Sequence, residues 1–435
     1  MTTTNIATVH GRRVWDSRGR PTVEAEVMLE GGAIGRAIAP AGASTGSGEA
    51  VDLRDGGARF GGLDVMEALD NISSDIAQAV EGRDATDQAE VDAAMISLDG
   101  TDNKQRLGGN AIVAVSMAVA HAAAAASGEP LWRYLAGGQP VSLPLPEIQI
   151  FGGGAHAARR VDVQDFMVMC PRAGSFAEAL DITAEVYRAA GGLLAERGLL
   201  QGVADEGGYW PAFASNEEAL DMLVRAIERA GFTPGHEAAI SLDIAASSFG
   251  RDGRYRLALD DRALDTDALI DMLLRWVERY PIISVEDPVG EDDAAGFRRF
   301  TAAVGGRVQV IGDDFLVTNA ARVRAAAAAG SVTAVLIKPN QAGTLTETKD
   351  ALEAARGAGI ATIVSARSGE TEDVTIVHLA VGWNAGQLKV GSFTRSERMA
   401  KWNEALRIEE GFGPQARFAG GGALGLVNAK RPLAP

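Results

Sequence analysis

The sequence predicts an α/β barrel of the TIM type preceded by a smaller α+β domain. Two observations carry that reading. Short apolar runs rich in β-branched residues recur at 239–243, 282–286, 308–313, 335–337 and 361–365, separated by stretches with helical apolar spacing. Alternating strand and helix implies parallel strands, whose C-terminal ends share one face. The first third has another texture. Residues 23–29 alternate apolar and charged side chains, Glu30-Gly31-Gly32 turns the chain into 33–38, and helical segments follow at about 65–80, 90–98 and 110–126. Strands grouped before helices mark a separate α+β unit. We place it at 1–138, with the barrel at 139–435, the division falling in Gly137-Gly138-Gln139-Pro140 or at Pro144 and Pro146.

Composition bounds the function. A chain of 435 residues exceeds one ordinary core. A net charge of −17 without an offsetting basic stripe speaks against a nucleic-acid partner. Residues 1–9 lack a basic segment followed by an apolar one, and the single cysteine, Cys170, cannot form an internal disulfide, so a cytoplasmic setting is expected. Cys170 ends an apolar run and reads as inert packing. The alanine-rich stretch 111–127 is broken by Ser116 and His121. It is expected to fall short of a membrane span and to form a buried helix with His121 as a satisfied core histidine, which leaves no membrane partner.

The strand ends carry the chemistry. Val335-Leu336-Ile337 ends in Lys338 and is stopped by Pro339, delivering an ammonium to the rim of a sheet. The neighbouring runs end in Asp243, Glu286 and Asp313. In a TIM-type barrel all four reach the mouth where active sites sit. A further strand, 386–391, buries Lys389, and two lysines on barrel strands point to an anionic substrate. Asp205-Glu206-Gly207-Gly208-Tyr209-Trp210 puts an acidic pair in a loop with apolar walls, open to reading as a solvated turn or a catalytic carboxylate. The small-residue loop 39–48 reads equally as a linker or a lid. Gly152-Gly153-Gly154-Ala155-His156 is a weak phosphate-loop signal, lacking the lysine of a P-loop.

Ordered motifs along the chain resemble the enolase family from end to end. They are Asp16-Ser17-Arg18-Gly19, Gly42-Ala43-Ser44-Thr45-Gly46, Asp205-Glu206-Gly207-Gly208, Ser284-Val285-Glu286-Asp287-Pro288, Leu336-Ile337-Lys338-Pro339-Asn340-Gln341, Ser368-Gly369-Glu370-Thr371-Glu372-Asp373, and the run from Arg395-Ser396-Glu397-Arg398 to Arg407-Ile408-Glu409-Glu410. The resemblance implies the β2α2(βα)6 barrel with an antiparallel second strand, an N-terminal capping domain and a homodimer. It also implies two Mg2+ per active site. The first is assigned to Asp243, Glu286 and Asp313, and the second joins with substrate and Ser44. By the same resemblance Lys338 is the base, Lys389 holds the substrate carboxylate, Glu206 is the general acid, His156, Gln164 and Asp165 line the acid side, and Arg367 and Ser368 bind phosphate. Lysine or histidine bases with magnesium at the enediolate are the established scheme for enolase-superfamily sites, and metal charge would lower the Lys338 pKa.

Several positions depart from the family pattern. Ala366 stands where a histidine precedes the arginine, Asp165 where a longer glutamate partners the general acid, Gly152 where an asparagine precedes the glycine pair, Ala41 where the lid has a serine, and Tyr209-Trp210 where smaller residues follow the double glycine. They cluster around the leaving group and phosphate, leaving base and metal ligands intact. On that ground the sequence is read first as a specialised lyase acting on 2-phosphoglycerate or a phosphonate-bearing derivative, similar to carboxyphosphonoenolpyruvate synthase. The alternatives are ordinary phosphopyruvate hydratase, converting 2-phosphoglycerate to phosphoenolpyruvate and water, and a non-catalytic binding protein on the same scaffold.

Overall fold

The computed structural model describes residues 3–43 and 45–426. Strands Ile6–Trp15, Pro21–Leu29 and Ile34–Ile38 pair antiparallel in chain order. Val23, Ala25, Val27 and Leu29 face the core, as alternation requires. The opposite face is drier than expected, because Arg12 lies across Glu24 and Glu26 and pairs with both. Helices fill 66–80, with one wide turn in the middle, then Gln88–Asp99, Gly109–Ser127 and Leu131–Ala136.

Gly109–Ser127 packs on the sheet so closely that a Cβ at Gly35 would lie 2.1 Å from the Ala118 carbonyl oxygen. Only glycine fits that approach. Against expectation this helix is long and apolar enough to cross a membrane by length and composition, yet 83% of the qualifying window is buried inside the protein. It is the core helix of the capping domain.

Eight strands close the barrel: β1 Leu145–Gly152, β2 Asp165–Met169, β3 Ala239–Asp243, β4 Ile282–Glu286, β5 Gln309–Gly312, β6 Ala334–Ile337, β7 Ala361–Ser365 and β8 Gly386–Ser392. β2 runs antiparallel to both β1 and β3, and every other neighbouring pair is parallel. Two helices, Phe176–Glu196 and Asn216–Arg229, separate β2 from β3, and one outer helix follows each later strand, which gives β2α2(βα)6. Ser175 and Ser215 cap the first two, accepting from the amides of Glu178 and Glu218 as their capping boxes predict.

β1 was not expected as a strand. Its prolines read as a linker, but Pro146 sits near the strand start, where the missing donor is tolerated. The hairpin strands Gly250–Arg251, Arg254–Leu257 and Arg262–Asp265 were also unforeseen.

The two domains share a polar seam. Asp92 of the capping domain accepts from the Thr346 amide and hydroxyl at a barrel helix N-terminus, and Asp373 of the barrel accepts from the Ile38 amide. His121 bonds Thr375 Oγ1 at 2.8 Å, so it is satisfied as expected. Its ring also meets His378 edge-on at 6.3 Å, which the sequence did not reveal. Burial pushes His378 down to about 4 from an ordinary value near 6.5, and burial lowers His121 as well, with Glu404 and Asp373 only partly opposing for His378. Both rings are therefore neutral in the fold at neutral pH.

Between about pH 4 and 6.5 the unfolded chain binds more protons than the folded one, so stability present above the upper limit is lost as pH falls through this window. Unfolding free energy should drop by about 2 kcal/mol between about pH 7 and pH 5 through His378 alone. In denaturant titrations His378→Gln should flatten that slope; identical slopes in variant and wild type would refute the assignment.

Candidate active site

Counting along the barrel strands by two, the residues that face inward at the C-terminal rim are Gln149, Asp243, Glu286, Lys338 and Lys389, with Asp313 just beyond β5. Asp165 enters from the start of β2, because that strand runs the other way. One cleft is lined by His156, Gln164, Asp165, Glu206, Asp243, Lys338, Arg367, Ser368 and Lys389. The structure thus gathers these expected site residues from points scattered over much of the chain. The assignment of Ser44 to a second metal lies outside the described residues.

Every charge in this cleft is buried and paired. Lys389 Nζ lies 2.8 Å from Glu286 Oε2, 3.1 Å from Asp243 Oδ2 and 3.5 Å from Asp165 Oδ2. Lys338 Nζ bonds Asp313 Oδ2. Gln164 Nε2 donates to Asp243 Oδ2 at 2.9 Å, and Gln341 Nε2 to Asp313 Oδ1 at 2.9 Å.

Lys389 engages three protein carboxylates in this arrangement. The Lys338 pKa is raised: burial would lower it, but the adjoining Asp313 carboxylate outweighs burial. The same pairing, with help from Arg367, holds Asp313 below the usual carboxylate range despite its burial.

Asp243, Glu286 and Asp313 end the adjacent strands β3, β4 and β5, and Asp243 and Glu286 are register partners. Glu286 Oε1 is buried without a hydrogen-bond partner, and burial together with Asp243 raises the Glu286 pKa well above its usual value. A buried carboxylate oxygen without a donor is costly, and a hard cation with oxygen ligands relieves that cost. The donor set therefore fits Mg2+. Among the described residues, two further groups bring possible ligand atoms within 4.8 Å of one another: Asp287–Asp313–Asp314 and His156–Asp165–Glu206. The ring of Asp243, Glu286 and Asp313 has the two ammonium groups bound to it. Asp287 is occupied in holding the chain, accepting from the amides of Asp313 and Asp314 at 2.9 Å each.

On the acid side, His156 Nδ1 lies 3.3 Å from Asp165 Oδ1, and its Nε2 lies 2.9 Å from Ser368 Oγ and 3.8 Å from Glu206 Oε1. Burial disfavours the imidazolium, but Glu206 and Asp165 outweigh it and raise the His156 pKa. On the shorter Asp165 side chain, Oδ1 meets both His156 Nδ1 and Gln149 Nε2, while Oδ2 is buried without a hydrogen bond and faces Lys389 Nζ at 3.5 Å. Gly152, the departure before the glycine pair, has no room for a side chain, since a Cβ there would lie 2.5 Å from Ala204 Cβ.

The Arg367 side of the cleft is assembled across domains. Arg367 Nη1 lies 2.8 Å from Glu49 Oε2 and 3.2 Å from Asn340 Oδ1. Ala41 and Gly369 exchange backbone hydrogen bonds, and Arg18, held by Asp16, donates to the Ala41 carbonyl at 2.8 Å. Asp16-Ser17-Arg18 thus anchors the start of the small-residue loop 39–48. Arg398, fully buried, donates to the carbonyls of Arg367, Ser368 and Val390.

Glu49, Gln341, Gln149 and Arg398 were not singled out as site residues, nor was Glu147, a buried acid on β1 that accepts from Ser241 Oγ. For Gln149 and Glu147 the available signal was alternation of polar residues in 145–151; for Glu49 it was a lone charge beside the small-residue loop.

The fold and this cleft define a class: a carbon–oxygen lyase on a capped β/α barrel. A family model described as "Enolase, N-terminal domain" matches residues 6–135, and one described as "Enolase, C-terminal TIM barrel domain" matches residues 140–425. The "Enolase" of Rubrobacter xylanophilus is similar, with 49% identity over 422 residues, covering 97% of this chain and 98% of the relative. The chain belongs to the enolase family, whose members use Mg2+ and act on small phosphorylated carboxylates.

Arg398→Met would leave three loop carbonyls without their buried charged donor, costing about 3 kcal/mol. A lower melting temperature and a raised KM are expected in calorimetry and steady-state kinetics. Wild-type values for both would show that Arg398 does not hold the Arg367–Ser368 turn.

Proposed function

We propose that this protein is an ordinary phosphopyruvate hydratase, interconverting 2-phosphoglycerate and phosphoenolpyruvate plus water. The observation that carries the reading is the 49% identity, over nearly the whole of both chains, to a relative named simply "Enolase", joined to a cleft that retains base, acid and carboxylate ring. It displaces the phosphonate-directed lyase that the departures first favoured. Asp165 and Gly152 are absorbed by local packing, and Arg367 and Ser368 still face the cleft.

Lys338 would take the proton from C2, with the electron pair moving toward the substrate carboxylate. Just beyond β6, it stands four strands around the barrel from β2, the side on which Asp165, His156 and Glu206 lie. Glu206 would protonate the departing C3 hydroxyl, so that a C2–C3 double bond and water form. Arg367 and Ser368 would hold the phosphate, and Lys389 the carboxylate once its protein partners are shared. Bound Mg2+, one ion at Asp243, Glu286 and Asp313 and a second with substrate, would supply the positive charge that makes the enolate accessible. A cytoplasmic homodimer belongs to the same reading, supported by the family resemblance and by the single buried thiol of Cys170, which burial pushes up to about 12. Gel filtration reads the oligomeric state.

Purified protein with magnesium should form phosphoenolpyruvate from 2-phosphoglycerate, seen by ultraviolet absorbance. Chelation should abolish the activity, and Lys338→Ala should lower it roughly a thousandfold or more. Turnover of a phosphonate-bearing substrate with none of 2-phosphoglycerate would overturn the proposal.

A further inference from the structure

Gln149 lies on β1, fully buried, between Asp165 and the loop that carries Glu206. Its Nε2 donates to Asp165 Oδ1, and its Oε1 accepts from the Gly208 amide at 2.8 Å. Gly208 is two residues beyond Glu206 on the same loop. The contacts fix the amide's orientation, since the Gly208 N–H needs an acceptor and the Asp165 carboxylate needs a donor. A carboxylate at position 149 would face Asp165 with like charge, and an apolar side chain would leave the Gly208 N–H without its acceptor and take one of two contacts from Asp165 Oδ1 in a dry site.

The backbone makes room for this amide. A Cβ at Gly208 would lie 2.4 Å from Gln149 Oε1, and one at Gly152 would lie 3.4 Å from Gln149 Nε2 as well as 2.5 Å from Ala204 Cβ. Two glycines, one ending β1 and one on the Glu206 loop, thus flank one side chain.

The circuit closes through the histidine. Asp165 Oδ1 is shared between Gln149 Nε2 and His156 Nδ1, and the far side of the His156 ring faces Glu206 Oε1 at 3.8 Å. The Asp205 amide donates to the His156 carbonyl at 3.1 Å, tying the histidine loop to the acid loop a second time. The span left by the shorter carboxylate at 165 is bridged by the length of the glutamine.

We propose that Gln149 is a positioning residue for the acid step: by joining Asp165 to the loop that carries Glu206, it fixes how the His156–Asp165 pair faces the acid. The proposal rests on the reading of Glu206 as general acid.

Gln149→Met keeps the length and removes both hydrogen bonds. It should lower kcat for dehydration about tenfold or more while changing KM for 2-phosphoglycerate less than roughly threefold, because binding groups stay in place. Gln149→Asn and Asp165→Glu should each lower kcat by a similar factor. Together they move one methylene from the amide to the carboxylate, and kcat should return to within roughly threefold of wild type. Hydrogen exchange of segment 203–210, which requires no turnover, should quicken in Gln149→Met. Unchanged exchange there, wild-type kcat in Gln149→Met, or a double variant no better than the worse single one would each overturn the proposal. Loss of 2-phosphoglycerate turnover in the wild type itself would instead refute the proposed reaction, and the exchange experiment would still decide whether Gln149 ties the loop.

Discussion

Burying six charged groups in one barrel mouth is possible only because their signs alternate in space. Lys389 stands among Asp165, Asp243 and Glu286, and Lys338 against Asp313. Any one of these groups left alone in so dry a place would neutralise or exclude itself from the fold. Parallel strands are what bring them together, since β3 to β6 all deliver their last residues to the same rim. The single reversed strand, β2, matters for the opposite reason: its first residue, not its last, reaches that rim, which is how Asp165 comes to face Lys389.

The rest of the molecule holds this cluster in register. The capping domain contributes Glu49, which pairs with Arg367 and also accepts from the Gly46 amide and from Gln341, itself bonded to Asp313. Loop 39–48, Arg367 and the carboxylate ring are therefore tied through a single buried side chain. On the other side, Arg398 and Lys401 reach up from the last long helix to the carbonyls of 367, 368 and 371. Buried donors aimed at backbone carbonyls fix the turn that presents Ser368 to His156. The motifs that mark the family in sequence are largely these struts, with the reacting groups a minority among them.

Much of the barrel was legible because β-branched runs closing on a charge are a strong local signal. Strands at 239–243, 282–286 and 361–365 stand where periodicity placed them. β1 was not, because Pro144 and Pro146 look like a linker and because Glu147 and Gln149 interrupt the apolar pattern for reasons that lie across the barrel. The same cause hid Gln149 from the site: its partners are 16 and 59 positions away. The antiparallel sense of β2 carries no local signature and came only from resemblance. The departures at Asp165 and Gly152 were visible as letters, but their compensation was not. It depends on one amide and on the packing of Ala204. That is also why a specialised substrate was first read into them.

On the proposed reading Lys338 removes a proton from the carbon beside a carboxylate, and Mg2+ held by Asp243, Glu286 and Asp313 would supply the positive charge that step needs. Deuterium incorporation at C2 of 2-phosphoglycerate in heavy water, followed by proton NMR with magnesium present, reports that step apart from loss of the leaving group. Incorporation by the wild type and by Glu206→Gln, and none by Lys338→Ala, is the predicted result. Undiminished incorporation with Lys338→Ala would contradict it.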